Sequence, residues 1–338
     1  MRIMGYLTYV WRLAKEIKNP SLFIYHLFHY ANRSIPLFIA EFIRKRNCKQ
    51  YQKENLGDIL IDTIDGSSQT VHPDIDNLKG QIAFIGTPYP YAMEEYENPC
   101  LYIGKDLYSL KMVSCPLDVQ HERIQGVHLS DPCVASDGEK LYCIYRDTRY
   151  KDDYIYAKIA CLNDENELEL SDRTLLLEKQ HEYALSPAVV LKEKSLLMYH
   201  VETDKIHSRL VLNTYEKESL KHRDYKVLNI SNEPDYFYLW HIGISVNKGY
   251  GKLQRENDKL EGLFLYTSIN NSRNLKLFHA ISDDNIHWHI ENEIRVPSKL
   301  KDIIQFPYKS CFIPNTNRIL LSFRDKKNRN RFIEIDVN

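Results

Sequence analysis

From about residue 57 onward the sequence repeats itself. An entry led by Pro or His opens an apolar run, a turn follows, and a second run rich in Tyr, Leu or Phe comes after it. The first copy is His72-Pro73-Asp74-Ile75 with Gln81–Gly86, and the second is Ser130-Asp131-Pro132-Cys133 with Lys140–Tyr145. The third is Ser186-Pro187-Ala188-Val189 with Ser195–His200, and the fourth is Trp240-His241-Ile242-Gly243 with Gly262–Tyr266. A weaker fifth runs from Tyr308-Lys309-Ser310 to Ile319–Phe323. Entry positions 74, 131, 187, 241 and 308 are 57, 56, 54 and 67 residues apart. Such a period in strand-rich sequence predicts propeller blades, because one unit cannot cover its own apolar faces and copies must stack around an axis. Two stretches, Cys100–Leu110 with Gly104-Lys105-Asp106 and Leu277–Trp288 with Ser282-Asp283-Asp284-Asn285, predict outer hairpins closed by Asx turns. The expected fold is an all-β, five-bladed β-propeller over residues 57–338.

Residues 1–56 read differently. They hold ten Lys/Arg against Glu16, Glu41 and Glu54, a charge of +7 that leaves −8 on the rest of the chain. Ile3, Leu7, Val10, Ala14 and Ile17 recur at helical spacing, and the apolar runs Leu22–Tyr30 and Ile35–Ile43 follow. This predicts a basic, α-helical N-terminal extension. Two roles fit it: a cap packed on the propeller, or a surface that lies on an anionic membrane or docks a partner.

Several function classes are excluded by what the sequence lacks. Its 12 glycines are scattered with no phosphate-binding loop, and the propeller region is acidic, so no nucleic-acid partner is expected. Seven cysteines without a C-x-x-C pair, and no His cluster at metal-ligand spacing, argue against a disulfide framework or a structural zinc site. No cofactor and no metal is expected. The apolar stretch Ile3–Trp11 is too short and too interrupted for a signal peptide, and no run approaches the roughly 18 apolar residues of a membrane span. A reducing, cytoplasmic location is the expectation, with membrane association through residues 1–56 as its variant. The 24 tyrosines suit half-buried strands and sugar-contacting surfaces alike.

In a propeller the first residues of all inner strands converge on one face, and the loops after the second strands return to it. That map brings His72, Asp74, Asp131 and Ser186 to one mouth with Trp240, His241, Tyr308 and Lys309. The returning loops add Tyr89, Glu97, Arg146, Glu202 and Arg324. Guanidinium and ammonium groups in that set point to an anionic sugar or, alternatively, to ties between blades.

The stretches His72-Pro73-Asp74, Thr87-Pro88-Tyr89-Pro90, Tyr96-Glu97-Asn98-Pro99, Ser130-Asp131-Pro132 and Ser282-Asp283-Asp284 with Trp288 together resemble the five-bladed propeller glycosidases. These are the arabinanase, β-xylosidase and invertase relatives grouped around glycoside hydrolase family 43. The resemblance spans about residues 70–325 and implies hydrolysis of a glycosidic bond by carboxylates at the axis. One Asp at the first blade's entry acts there as base or nucleophile, a second positions substrate and tunes pKa, and a Glu is the acid. Asp74 matches the first and Asp131 the second. Where the family opens a later blade with Glu-Gly-Pro, this chain has Leu185-Ser186-Pro187, and a hydroxyl is far too weak an acid to protonate a leaving group. Glu97 is then the first candidate for the acid, with His241 and Glu202 in reserve. A propeller that binds glycan without cleaving it is the alternative.

Overall fold

A computed structural model describes residues 58–337 apart from short stretches at 91–92, 115–116, 119–125, 150–151, 164–166, 181–182, 205–206, 248–250 and 328. The extension expected to be helical, residues 1–56, lies outside the described residues.

Five sheets follow one another along the chain. Blade I consists of β1 (Thr70–Leu78), β2 (Gln81–Pro88), β3 (Cys100–Gly104) and β4 (Lys111–Ser114). Blade II holds β5 (Val127–Ser136), β6 (Lys140–Arg149), β7 (Asp152–Leu162), β8 (Leu168–Leu170) and β9 (Thr174–Lys179), and blade III holds β10 (Tyr183–Leu191), β11 (Ser195–Thr203), β12 (Ser208–Glu216) and β13 (His222–Val227). Blade IV comprises β14 (Asn229–Ser231), β15 (Phe237–Val246), β16 (Leu260–Ser268), β17 (Asn271–Ser282) and β18 (His287–Glu293). In blade V, β19 (Ile304–Pro307) and β20 (Cys311–Ile313) both pair with β21 (Arg318–Asp325), which pairs in turn with β22 (Asn330–Asp336). β19 and β20 are two halves of one inner strand, interrupted at Tyr308-Lys309-Ser310, which is why the fifth repeat is weak in the sequence.

The ring closes where the chain begins to be described. Ile59 bridges Phe332 of β22, so the segment before blade I adds to the last blade, and the Asp58–Arg331 ion pair lies beside it. Closure leaves no open sheet edge between first and last blades, the hazard that an all-β chain must manage.

Five apolar clusters hold the ring, each shared by two neighbouring blades. Leu101 and Ile85 of blade I meet Leu129 and Val134 of blade II; Tyr142 meets Met198; Tyr199 meets Trp288; Leu263 meets Leu321; and Phe84 meets Phe332 across the closure. Large buried residues at these seams exclude water from both faces of every sheet. Much of the tyrosine belongs here. Tyr102, Tyr145 and Tyr215 bury their rings and send their hydroxyls to Asp62 O (2.7 Å), Asp118 Oδ2 (2.6 Å) and Leu176 O (3.0 Å) at the sheet margins. Both expected Asx turns form: Asp106 Oδ1 accepts from Tyr108 N at 2.9 Å, and Asp284 Oδ1 accepts from Ile286 N and His287 N at 2.9 and 2.8 Å. No described helix is long and apolar enough to cross a membrane.

Candidate functional site at the propeller axis

The inner strands break register just where they enter the mouth. In blade I Val71 faces Thr87 and Asp74 faces Ile85, so His72-Pro73 stand opposite Gly86 alone. Asp131-Pro132 bulge in the same way in blade II, and Ser186-Pro187 in blade III. The first residue of each bulge has positive φ: 53° at His72, 49° at Asp131 and 52° at Ser186. Proline suits the second place because no ladder bond is asked of its missing N–H. Positive φ at a non-glycine residue costs about 1–3 kcal/mol and persists where surrounding structure enforces it, typically at functional sites. Blade IV carries a single extra residue, Trp240, between Leu239 and His241.

This register corrects the equivalence between blades. The counterpart of Asp131 and Ser186 in blade I is His72, and Asp74 lies two residues further along the strand. Its Oδ2 accepts from Val134 N of blade II at 2.9 Å and is ion-paired with Lys252, from the loop between β15 and β16. Asp74 is thus a buried tie between blades I, II and IV, away from the mouth. The three bulges superpose on their prolines, so Asp131 and Ser186 precede the proline as His72 does, while Asp74 follows it.

What gathers at the mouth instead is a chain of buried titratable groups. His72 Nδ1 lies 3.2 Å from Glu97 Oε2, and His72 Nε2 lies 3.3 Å from Asp131 Oδ1. His241 Nδ1 is 3.6 Å from the same Asp131 oxygen, and Arg146 approaches the other, Oδ2, at 3.0 Å. Thr87 Oγ1 also reaches Glu97 Oε2, at 3.5 Å. Burial pushes the Glu97 carboxyl up, and neighbouring His72 offsets this only in part. At Asp131 burial also opposes the anion, but His72, Arg146, His241 and Lys309 outweigh it and hold that carboxyl well below the usual range. Burial keeps His241 neutral despite the Asp131 anion. Two carboxyls in one site are therefore pushed in opposite directions, one toward the protonated form and one firmly ionised.

Half-buried aromatic rings rim the cluster. Tyr308 stacks on His72 (centroids 5.4 Å apart) and meets His241 edge-on at 5.1 Å, while Trp240 meets His241 edge-on at 5.6 Å. Tyr89 is half-buried at the end of β2, its carbonyl accepting from Asn330 Nδ2 at 3.4 Å.

No protein-family model matches the sequence, and no curated protein is significantly similar to it. Solved structures do match. A family 43 endo-arabinanase from Bacillus licheniformis shares 9% identity over 85% of this chain and 96% of its own, with a TM-score of 0.56. An arabinanase from Bacillus subtilis gives 10% identity, 80% and 94% coverage and 0.52, and an endo-arabinase from Bacteroides thetaiotaomicron gives 10%, 83% and 97%, and 0.52. The fold is that of glycoside hydrolase family 43. At these identities the family 43 fold is what is shared, and side chains at the mouth must be read from this chain itself.

The other expected site residues divide. The terminal nitrogens of Arg146 are engaged by Asp131 (3.0 Å), Asp153 (3.3 Å) and Ser130 Oγ (3.0 Å). All three partners belong to blade II, so these contacts tie strands within one blade, whereas the alternative to ligand binding expected ties between blades. Lys309 donates to Pro132 O at 3.1 Å, joining blade V to blade II just behind Asp131. Arg324, half-buried on β21, faces Tyr308 closely enough to act on its hydroxyl. Glu202 is not in the cluster: it is buried between strands by Lys179 (2.6 Å), Arg209 Nε (2.7 Å) and Tyr225 (3.3 Å). Ser186 is at the axis but its hydroxyl is used up, accepting from Ile242 N at 3.0 Å and donating to Ile242 O at 3.1 Å. It staples blade III to blade IV. Ser186→Ala should therefore cost about 1–3 kcal/mol in urea denaturation, the penalty for orphaning the buried Ile242 groups. Unchanged stability would return Ser186 to the candidates for ligand contact.

Asp153, Lys252 and Asp76 escaped the sequence reading. Asp153 organises Arg146, Thr148 Oγ1 (2.8 Å) and Ala184 N (2.9 Å), but it lies at the start of an outer strand, where nothing in the repeat marks it.

Proposed function

We propose that this chain hydrolyses a glycosidic bond at the mouth of the propeller axis. The observation that carries the reading is the opposed ionisation of Glu97 and Asp131 on either side of His72. Glu97 is the proton donor to the leaving oxygen. Asp131 is the fixed anion, favouring the positive charge that develops at the anomeric centre. His241 is neutral, faces Asp131, and has both ring nitrogens without a hydrogen-bond partner. It is the acceptor for a proton from attacking water. Trp240, Tyr308 and Tyr89 offer the flat apolar surfaces on which sugar rings stack. Because the internal acids consume Arg146, an anionic sugar is not required.

A second reading, glycan binding without cleavage, is favoured by one observation: of three equivalent bulge positions only Asp131 is an acid, with His72 and Ser186 at the others. Product release by the purified protein from a panel of aryl glycosides and oligosaccharides, neutral and acidic, separates the two. Release supports hydrolysis; saturable binding without release supports the second reading; neither would remove the carbohydrate assignment.

The pH profile follows from the direction of the Glu97 shift. The acid form is the active one, and its raised pKa extends activity to higher pH than an ordinary carboxyl would allow. Activity should be present below that pKa and fall as pH rises through it. In the rate–pH profile, an alkaline limb that persists in Glu97→Gln would assign it to another group.

A further inference from the structure

We propose that His72, Asp131 and His241 form a binding site for one divalent ion of the zinc class. Blades I, II and IV each contribute one ligand from the mouth end of the inner strand, and the three ligand atoms lie within 4.8 Å of one another. His72 Nε2 to Asp131 Oδ1 is 3.3 Å and His241 Nδ1 to Asp131 Oδ1 is 3.6 Å. A tetrahedral ion with bonds of about 2.0–2.1 Å needs ligand atoms about 3.3–3.4 Å apart. Two of the three edges are close to that without any rearrangement.

The same atoms lack another explanation. His72 Nε2, Asp131 Oδ1 and both nitrogens of His241 are buried and make no hydrogen bond, a condition that native interiors avoid. A proton on His72 Nε2 does not resolve it, because the 3.3 Å approach to Asp131 lacks hydrogen-bond alignment and His241 would still be orphaned.

The surroundings have the form of an outer shell. The other nitrogen of His72 faces Glu97 Oε2 at 3.2 Å, the carboxylate–histidine arrangement that fixes a ligating imidazole. The other oxygen of Asp131 is held by Arg146 and by Ser186 N (3.4 Å). Asp131 and Asp153 match Arg146 and Lys309 one for one, so no net positive charge opposes a cation here. Two imidazoles and one carboxylate select zinc and neighbouring first-row ions, whereas calcium and magnesium require a shell of oxygens. Three protein ligands are the number found in zinc sites whose fourth position holds a water.

An ion held here would occupy the Asp131 and His241 atoms that hydrolysis would otherwise use, and the test reads binding alone. Full-length, chelator-treated protein is titrated calorimetrically with Zn2+ and, separately, with Ca2+, and its Co2+ form is recorded in the visible range. One Zn2+ per chain, no comparable Ca2+ heat, and Co2+ bands of a four-coordinate site are expected. His241→Gln should weaken Zn2+ at least about 100-fold, and Glu97→Gln about 10–100-fold, the range for an outer-shell partner. No Zn2+ heat with the wild type would overturn the proposal. So would binding that His241→Gln leaves intact in a folded protein, since the ion would then sit on surface histidines, or Co2+ bands of a six-coordinate ion, a spectrum that needs no variant.

Discussion

Glu97→Gln loses about 10²–10⁴-fold in turnover on substrates with poor leaving groups, the range for deleting a general acid, and much less on activated aryl glycosides, whose leaving groups need no proton. The change keeps the size of the side chain and an acceptor for Thr87 and His72. Burial already pushes the Glu97 carboxyl toward its neutral form, so a neutral amide there should leave the fold intact. Parallel measurement on leaving groups of graded acidity checks this. An equal loss on all of them would mean that Glu97 shapes the pocket and does not donate the proton.

The largest effect on stability belongs to a residue far along the chain from those it serves. Lys252 is buried, ion-paired with Asp74 and close enough to Asp76 to oppose its shift. Its segment is anchored on blade III, where Leu191 N donates to Lys252 O at 2.8 Å and Gln254 N donates to Leu191 O at 2.8 Å. Lys252→Met removes the cation and leaves the Asp74 carboxyl buried without its ion-pair partner, which costs about 3–5 kcal/mol. Urea denaturation reads it directly, and Asp74→Asn in the same chain should return part of the loss. Asp76 adds a pH dependence. Burial raises its carboxyl to about 7, against Lys252 and two backbone N–H groups. With the native pKa above the unfolded one, its contribution is full below the unfolded pKa and is lost as pH rises toward and through about 7. Lys252→Met should shift that loss to higher pH, because the cation that favours the ionised form is gone.

The fold was legible because a propeller writes its period into the sequence. Five entries and the turns at Asp106 and Asp284 were visible as residue types. The axial convergence of His72, Asp131, His241 and Tyr308 followed from topology alone. Glu97 was legible as a carboxylate on a returning loop. The failure at Asp74 has a physical cause: a two-residue bulge changes which side chain turns to the axis, and His-Pro-Asp, Ser-Asp-Pro and Leu-Ser-Pro align by their prolines and not by their acids. The roles of Ser186, Glu202 and Arg146 were hidden because each is decided by a partner that is distant in sequence or on another strand, namely Ile242, Lys179 and Asp153. The His72–Asp131–His241 grouping drew on three blades, and no local spacing encodes it.

One comparison tests the central assignment most directly: product release per folded molecule by Asp131→Asn and Asp74→Asn, each against the wild type. The folded fraction is taken from denaturation curves, since both changes remove a buried charge. The structure predicts that Asp131→Asn abolishes turnover, because the anion beside His72 and His241 is gone, while Asp74→Asn is less stable but turns over normally once folded. Normal turnover in Asp131→Asn with loss in Asp74→Asn would contradict the axial assignment and return the reacting carboxylate to Asp74.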